Sequence, residues 1–203
     1  MKPLHNVDYP IHPLLRQRWS PRAFDTRPVE PAKIASLLEA ARWAPSSSNS
    51  QPWRYLIATN ENRAEFERML GCLVEKNQQW ARTAPVLMIS VAHTIYEYNG
   101  APNRHAGHDV GAASAMLTIE AEALGLHVHQ MAGFDAAKVK AEYDVPEHFD
   151  PMAAMAIGYL GSPESIPEGF RKGEVAPGTR KPISDFAFTK KWGEQYELPA
   201  KQS

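Results

Sequence analysis

A single domain that mixes helices with a sheet of core strands is what this sequence predicts, on three observations. Residues Pro31 to Trp43 carry apolar side chains at 34, 37, 38 and 41, the spacing of one helix face. Residues Pro85 to Ala92 are almost wholly apolar, as expected for a strand covered on both sides. The chain has 203 residues, 43% of them hydrophobic and 22% charged, which is enough for one sizeable core and ordinary for a globular protein. One domain over residues 1–203 is expected, with arms at 1–13 and 162–203.

The elements follow in order. The N-terminal stretch, through about residue 15, reads as an irregular surface arm. Arg16, Arg18 and Arg22 come next, interleaved with Trp19 and followed by Phe24. Pro21 drives Ser20 out of the helical region, so this segment is read as extended or turning, which fans the arginines apart. The helix from Pro31 must end by Ala44, because Pro45 follows. Between Pro45 and Pro52-Trp53 lie six small polar residues, Ser46 to Gln51, without a charge among them. Trp53 to Thr59 reads as the first core strand. Asn60 is a candidate cap for a helix over Glu61 to about Val74, with Phe66, Leu70 and either Leu73 or Val74 facing inward. After the apolar strand, residues 93–106 form a long loop with Tyr96 and Tyr98, of a length common in lids and binding loops.

The longest helix is expected from His108 to Leu124. Its many Ala, Gly and Ser residues let another backbone approach closely, and Gly125 ends it. His127 to Phe134 reads as a strand turning into a loop. Asp135 can cap a short helix through Tyr143. Met152 to Leu160 is a last apolar strand, bounded by Pro151 and Gly161. From Ser162 onward, prolines and glycines punctuate an irregular tail whose Phe170, Phe186, Phe188 and Trp192 are too aromatic for disorder. Such an extension is expected to wrap its own domain or a partner subunit.

Composition excludes several classes. The net charge of −1 leaves no global basic field for nucleic acid or an anionic membrane. Cys72, the lone cysteine, rules out an internal disulfide framework and a multi-cysteine zinc site, and reads as a core residue. No window reaches the roughly 18 apolar residues of a membrane span, and the first thirteen residues hold no signal-like apolar run, so a cytoplasmic protein is expected. Neither common phosphate loop nor a GxSxG nucleophile is present. His105, His108, Asp109, His127 and His129 are the best metal alternative, but are read as hydrogen bonders, with no metal expected.

Three clusters remain: the arginines at 18 and 22, the Ser/Asn/Gln loop at 46–51, and Arg180-Lys181-Pro182. Arginine forks match phosphate, while amides and hydroxyls match a heteroaromatic ring edge and a polyol. Flavin mononucleotide (FMN) would use all three. Surface arginines whose stems cover Trp19 and Phe24, and a solvated serine-rich connector, are the plainer readings of the same residues.

The paired stretches Arg18-Trp19-Ser20-Pro21-Arg22-Ala23-Phe24 and Ala44 to Trp53, with the helix between and the strand after, resemble the nitroreductase family of FMN-dependent oxidoreductases. Ala123-Leu124-Gly125-Leu126, Gly133-Phe134 and Arg180-Lys181-Pro182 extend the similarity over roughly residues 14–185. The resemblance implies an α+β fold, a mainly antiparallel sheet flanked by helices, in an intertwined homodimer with an extended C-terminal arm and FMN at the subunit interface. Arg18, Ser20, Arg22 and Arg180 would hold the phosphate and ring of one FMN, with Trp19 contributing backbone. Pro45, Ser46, Ser47 and Asn49, in the loop that runs to Gln51, would approach it from the other subunit. Gln130, Met131, Ala132 and Gly133 would line the edge near the reactive ring nitrogen, with Asn77 a ring contact. Gln130 and Ala132 replace the Trp and Gly common in many members, and Trp80 falls where some carry a lysine.

The implied chemistry is ping-pong: NAD(P)H reduces FMN and leaves, then a small electron-poor acceptor such as a nitroaromatic or quinone is reduced. No catalytic side chain is expected, since the flavin carries the reaction. Tyr96 and Tyr98 are the expected substrate lid. Reductive dehalogenation, flavin fragmentation and a non-catalytic flavin-binding or redox-sensing protein are the alternatives.

Overall fold

The computed structural model describes residues 4–200. The ends of the two expected arms, at 1–3 and 201–203, lie outside the described residues.

The architecture is α+β. Strands β1 (Trp53–Thr59), β2 (Val86–His93), β3 (His127–Met131) and β4 (Phe149–Gly158) form one sheet in the order β1-β2-β4-β3, with every neighbouring pair antiparallel. Among the described residues, seven α-helices surround it: α1 (Pro13–Gln17), α2 (Pro31–Arg42), α3 (Arg63–Leu70), α4 (Glu75–Ala81), α5 (Ala106–Ala123), α6 (Ala136–Glu142) and α7 (Glu168–Val175). Among the described residues, no helix is long and apolar enough to cross a membrane.

Strand β2 shows why its sequence is apolar throughout. Side chains alternate across a strand, and here Leu87, Ile89 and Val91 enter one core while Val86, Met88 and Ala92 enter another. The first core joins the sheet to α3, α4 and α6 through Phe66, Met69, Leu70, Trp80, Ala81 and Val139. The second joins it to α2 and α5 through Leu37, Ala41, Val110, Ala113, Leu117 and Ala121. The small residues of α5 thus let α2 lie close against it. Gly125 has φ +73°, the left-handed conformation that ends α5 as expected.

Several expectations change. The stretch around Arg16 is helical: α1 carries Arg16, and Pro13 opens it at a position where the missing N–H costs nothing. Asn62 caps α3, accepting from the Glu65 amide, whereas Asn60 Nδ2 donates to the Thr26 carbonyl at 2.7 Å. The expected helix 61–74 stops at Leu70, since Leu73 leaves to bridge Phe134, and Glu75 starts the separate helix α4. Strand β4 begins at Phe149, so Pro151 lies inside it. A register shift opposite Ser90 and Val91 makes room there for a residue with no N–H to pair. The C-terminal extension is less irregular than expected, for α7 runs within it.

Candidate functional site

The arginine segment departs from α1 and is held by groups remote in sequence. Arg16 turns back to the N-terminal arm, where its Nε donates to the His5 carbonyl at 3.2 Å. Arg18 closes α1; its carbonyl lies 2.7 Å from His5 Nε2, and its Nη1 approaches Ser20 Oγ at 3.4 Å. Arg18 and Arg180 line one cavity of about 170 Å³ with His5, Leu15 and Gly178. Burial pushes the Arg18 guanidinium below its ordinary pKa, Arg180 pushes it further, and Glu122 opposes both. Two guanidiniums repelling in a half-buried niche define a place where an anion is favoured.

Farther along, the Pro21 carbonyl accepts from His129 Nδ1 at 2.7 Å. Burial holds His129 down to about 4, so at neutral pH it is an uncharged hydrogen bonder. Its ring rests on Trp80, centroid to centroid 4.5 Å. The Arg22 guanidinium lies 6.0 Å from the centre of Trp80 and 5.8 Å from that of Phe170. The Arg22 amide donates to both oxygens of Glu174, and the Ala23 amide to one. Trp19 is half-buried, its ring 6.5 Å from that of His127.

The polar loop is built by short-range bonds around a left-handed backbone. Ser48, Asn49 and Gln51 have φ of 53°, 52° and 46°, a region that side chains other than glycine seldom occupy. Such conformations persist only where the surroundings over-determine them. Here the Ser47 amide donates to the buried Asp109 carboxylate at 3.0 Å, and the Gln51 amide to Ser46 Oγ at 3.0 Å. Ser47 Oγ meets the Tyr96 hydroxyl at 3.0 Å, while Ser50 Oγ accepts from Asn103. The three serines thus hold the loop, while Asn49 and Gln51 are both exposed, with Gln51 Nε2 donating back to the Asn49 carbonyl at 3.2 Å. Cavities of about 470 Å³ and 320 Å³ flank it, the first lined by Ser48 to Gln51, Arg54 and Tyr98, the second by Pro45, Ser46, Ser47 and Asp109. Tyr96 and Tyr98 pack on each other with centroids 5.3 Å apart, Tyr98 being mostly exposed.

The end of β3 forms a third edge. Gly133 offers its carbonyl to Asn77 Nδ2 at 3.0 Å and to the Val74 amide at 3.1 Å. A Cβ built on Gly133 would strike the Asn77 amide, so the close approach of α4 requires glycine here. Ala132 is exposed, but Met131 is buried in the core and can offer only backbone. Gln130 turns its amide onto α5, donating to Thr118 Oγ1 at 3.1 Å and to the Ser114 carbonyl.

The expected residues are therefore brought together in three groups: Arg18 with Ser20 and Arg180, Asn77 with Gly133, and the loop from Pro45 to Gln51 with Tyr96. Arg22 stands between the first two, against Trp80. The first and third groups belong to opposite ends of α5: Asp109 in its first turn holds Ser47, whereas Glu122 in its last turn acts on Arg18. Thirteen helical steps separate those two carboxylates, about 20 Å at the usual rise.

Sequence reasoning named Asp109 only with the metal alternative, and missed Glu122 and Glu174. Asp109 and Glu122 were visible as carboxylates set among small and apolar helix residues, a pattern that signals burial with a partner. Glu122 indeed meets His127 Nδ1 at 3.0 Å. Glu174 left no such signal. Cys72 is buried, as expected, and burial raises its thiol pKa. Among the described residues, no cluster of three or more His, Cys, Asp or Glu is placed to hold a metal ion.

An arginine-lined niche, an uncharged polar loop and a glycine-bearing strand end stand apart on one α+β scaffold. The chain belongs to the Nitroreductase family, whose pattern matches residues 15–159. A crystal structure described as an oxidoreductase containing FMN is 34% identical, with a TM-score of 0.88 over 94% of this chain and 97% of that one. An uncharacterized 15.4 kDa protein of Mycolicibacterium smegmatis is 36% identical over 124 residues, 61% of this chain and 82% of the relative. A Streptomyces coelicolor protein provisionally named NADH dehydrogenase/NAD(P)H nitroreductase is 28% identical over 164 residues, covering 71% and 80% of the two chains.

Proposed function

We propose that this chain is an FMN-dependent oxidoreductase that takes electrons from NAD(P)H and passes them, in a ping-pong cycle, to electron-poor acceptors such as nitroaromatics or quinones. The observation that carries it is the division of the site. A phosphate-type niche and an uncharged amide loop lie at opposite ends of α5, which supports a pairing in which a second copy completes each half. The working form is therefore a cytoplasmic homodimer of single-domain chains, with two composite sites.

The donor set fits FMN. Arg18 and Arg180 share a niche that favours a phosphate. Asn49 and Gln51 present amides able to pair with ring edge or ribityl hydroxyls, from a loop already rigid before binding. Asn77 and Gly133 form a close-packed edge that leaves backbone from Gln130 to Gly133 for a flat ring. FMN, when bound, supplies the hydride acceptance and electron delivery. Tyr96 and Tyr98 would cover the acceptor from beside the loop. Trp80, buried where some members carry lysine, leaves Arg22 as the cation facing the ring side.

Purified protein supplied with FMN is expected to hold a flavin chromophore that NADH or NADPH bleaches without oxygen and that a nitro or quinone acceptor restores. Protein that stays colourless after FMN is added overturns the cofactor. A bound flavin that neither nucleotide reduces overturns the reductase.

A further inference from the structure

We propose that Glu174 is a positioning residue for Arg22, so that helix α7 of the C-terminal arm sets the grip on the flavin ring. The proposal rests on the FMN reading above.

Glu174 is only 3% exposed, yet among the described residues no cation balances it at bonding distance; two backbone N–H groups donate to its carboxylate, that of Arg22 shared between both oxygens at 3.0 and 3.1 Å and that of Ala23 at 3.2 Å. A buried carboxylate is costly unless its lone pairs are filled, and bonds from amides to an anion are among the stronger ones a backbone makes. Phe170 and Gly173, four and one residues earlier, share its face of α7. The Phe170 ring lies under the Arg22 guanidinium, and a Cβ on Gly173 would come within 3.4 Å of Arg22 Nη1. One helix face therefore grips Arg22 at the backbone and along the side chain, with Trp80 on the other side.

This grip separates two kinds of arginine. Arg18 and Arg180 share the anion niche, where they face a phosphate. Arg22 does not line that niche. It packs against Trp80, which rests on His129 in the strand that runs on to Gln130 and Gly133. Arg22 thus addresses the ring side, and Glu174, 152 residues away in sequence, decides where its backbone sits.

The test is a double-mutant cycle on FMN affinity, read by flavin fluorescence, with circular dichroism and melting of the FMN-free protein as the check on folding. Glu174→Gln keeps the shape but turns an N–H toward the amides; it and Arg22→Ala are each expected to weaken FMN roughly 10-fold. Added to Arg22→Ala, Glu174→Gln is expected to change affinity by less than about 2-fold, because its effect runs through that side chain. Riboflavin is expected to lose as much as FMN in Glu174→Gln, whereas Arg180→Ala loses FMN alone. Should Glu174→Gln not be recovered folded, Glu174→Asp carries the same cycle. Unchanged FMN affinity, or losses that simply multiply in the double variant, overturns the proposal. Wild-type protein that binds no FMN overturns the cofactor reading itself, a separate outcome.

Discussion

Arg22 and Asn49 both sit outside the α-helices and the sheet, Asn49 at the end of a single 3₁₀ turn (Ser47–Asn49), but different forces hold them in place. The arginine stretch is tied by single groups distant in sequence: His129 from β3 on Pro21, and Glu174 from α7 on Arg22 and Ala23. The Ser46–Gln51 loop is tied mainly to itself, by hydroxyls and amides a few residues apart, with Asp109, Tyr96 and Asn103 as outside anchors. A stretch held by buried, titratable and charged groups responds to pH and to remote mutation. A stretch held by neutral local bonds responds to changes in its own residues.

The largest expected contrast comes from pH. His129 is held at about 4 in the fold against an ordinary value near 6.5, so between these pH values the unfolded chain binds a proton that the fold refuses. Above that window both states are neutral and no cost exists; as pH falls through it, stability is lost, by about 3 kcal/mol in total. Arg22 and Arg18 add to the cost through their positive charge. Urea unfolding from pH 7 down to 4 checks this, and the slope should shrink in His129→Asn, whose amide still reaches toward Pro21.

Arg18→Ala is next. Removing half of the niche is expected to weaken FMN by about 2 to 3 kcal/mol, roughly 30- to 150-fold, and the difference from wild type should narrow at high salt. Fluorescence titration at two ionic strengths measures both. Asp109→Ala tests the loop's outside anchor. It strands the Ser47 amide and is expected to cost about 1 to 2 kcal/mol in urea unfolding, with the Arg18–Arg180 niche untouched. The smallest effect is expected from Asn49→Ala: FMN binding falls by about 1 kcal/mol, while the FMN-free protein melts only slightly lower, because alanine tolerates the left-handed φ of 52° less well than asparagine. An Asn49→Ala protein that binds FMN like the wild type would remove the loop from the site.

Much of the scaffold was legible in the residues. The spacing at 34, 37, 38 and 41 placed α2, and the unbroken apolar run placed β2 within a residue of its ends. Glycine at 125 ended α5 and Asp135 capped α6, both local events. The misses share a cause. Asn60 and Asn62 are equal as caps in isolation, and the choice fell to Asn62 because Asn60 is engaged by Thr26. The apolar pattern through Leu73 looked helical, but Leu73 is buried by a bridge to Phe134 and not by a helix face. Pro151 read as a boundary because the bulge that admits it depends on the neighbouring strand.

For the site, residue types marked Arg18, Arg22, Arg180 and the Ser46–Gln51 loop as candidates, since an arginine fork or an uncharged amide has few other uses at such positions, whereas Gly133 came only from the family resemblance. Which of them meet was not in the sequence. That Arg18 faces Arg180, that Arg22 lies instead between Trp80 and Phe170, and that the polar loop stands at the far end of α5 all depend on contacts between elements far apart in sequence. Local periodicity and capping act through the nearest few side chains, and those the chain determines by itself. The partners of Asp109, His129 and Glu174 were chosen only when the sheet and helices closed around them, because burial is what makes an unpaired carboxylate or amide intolerable.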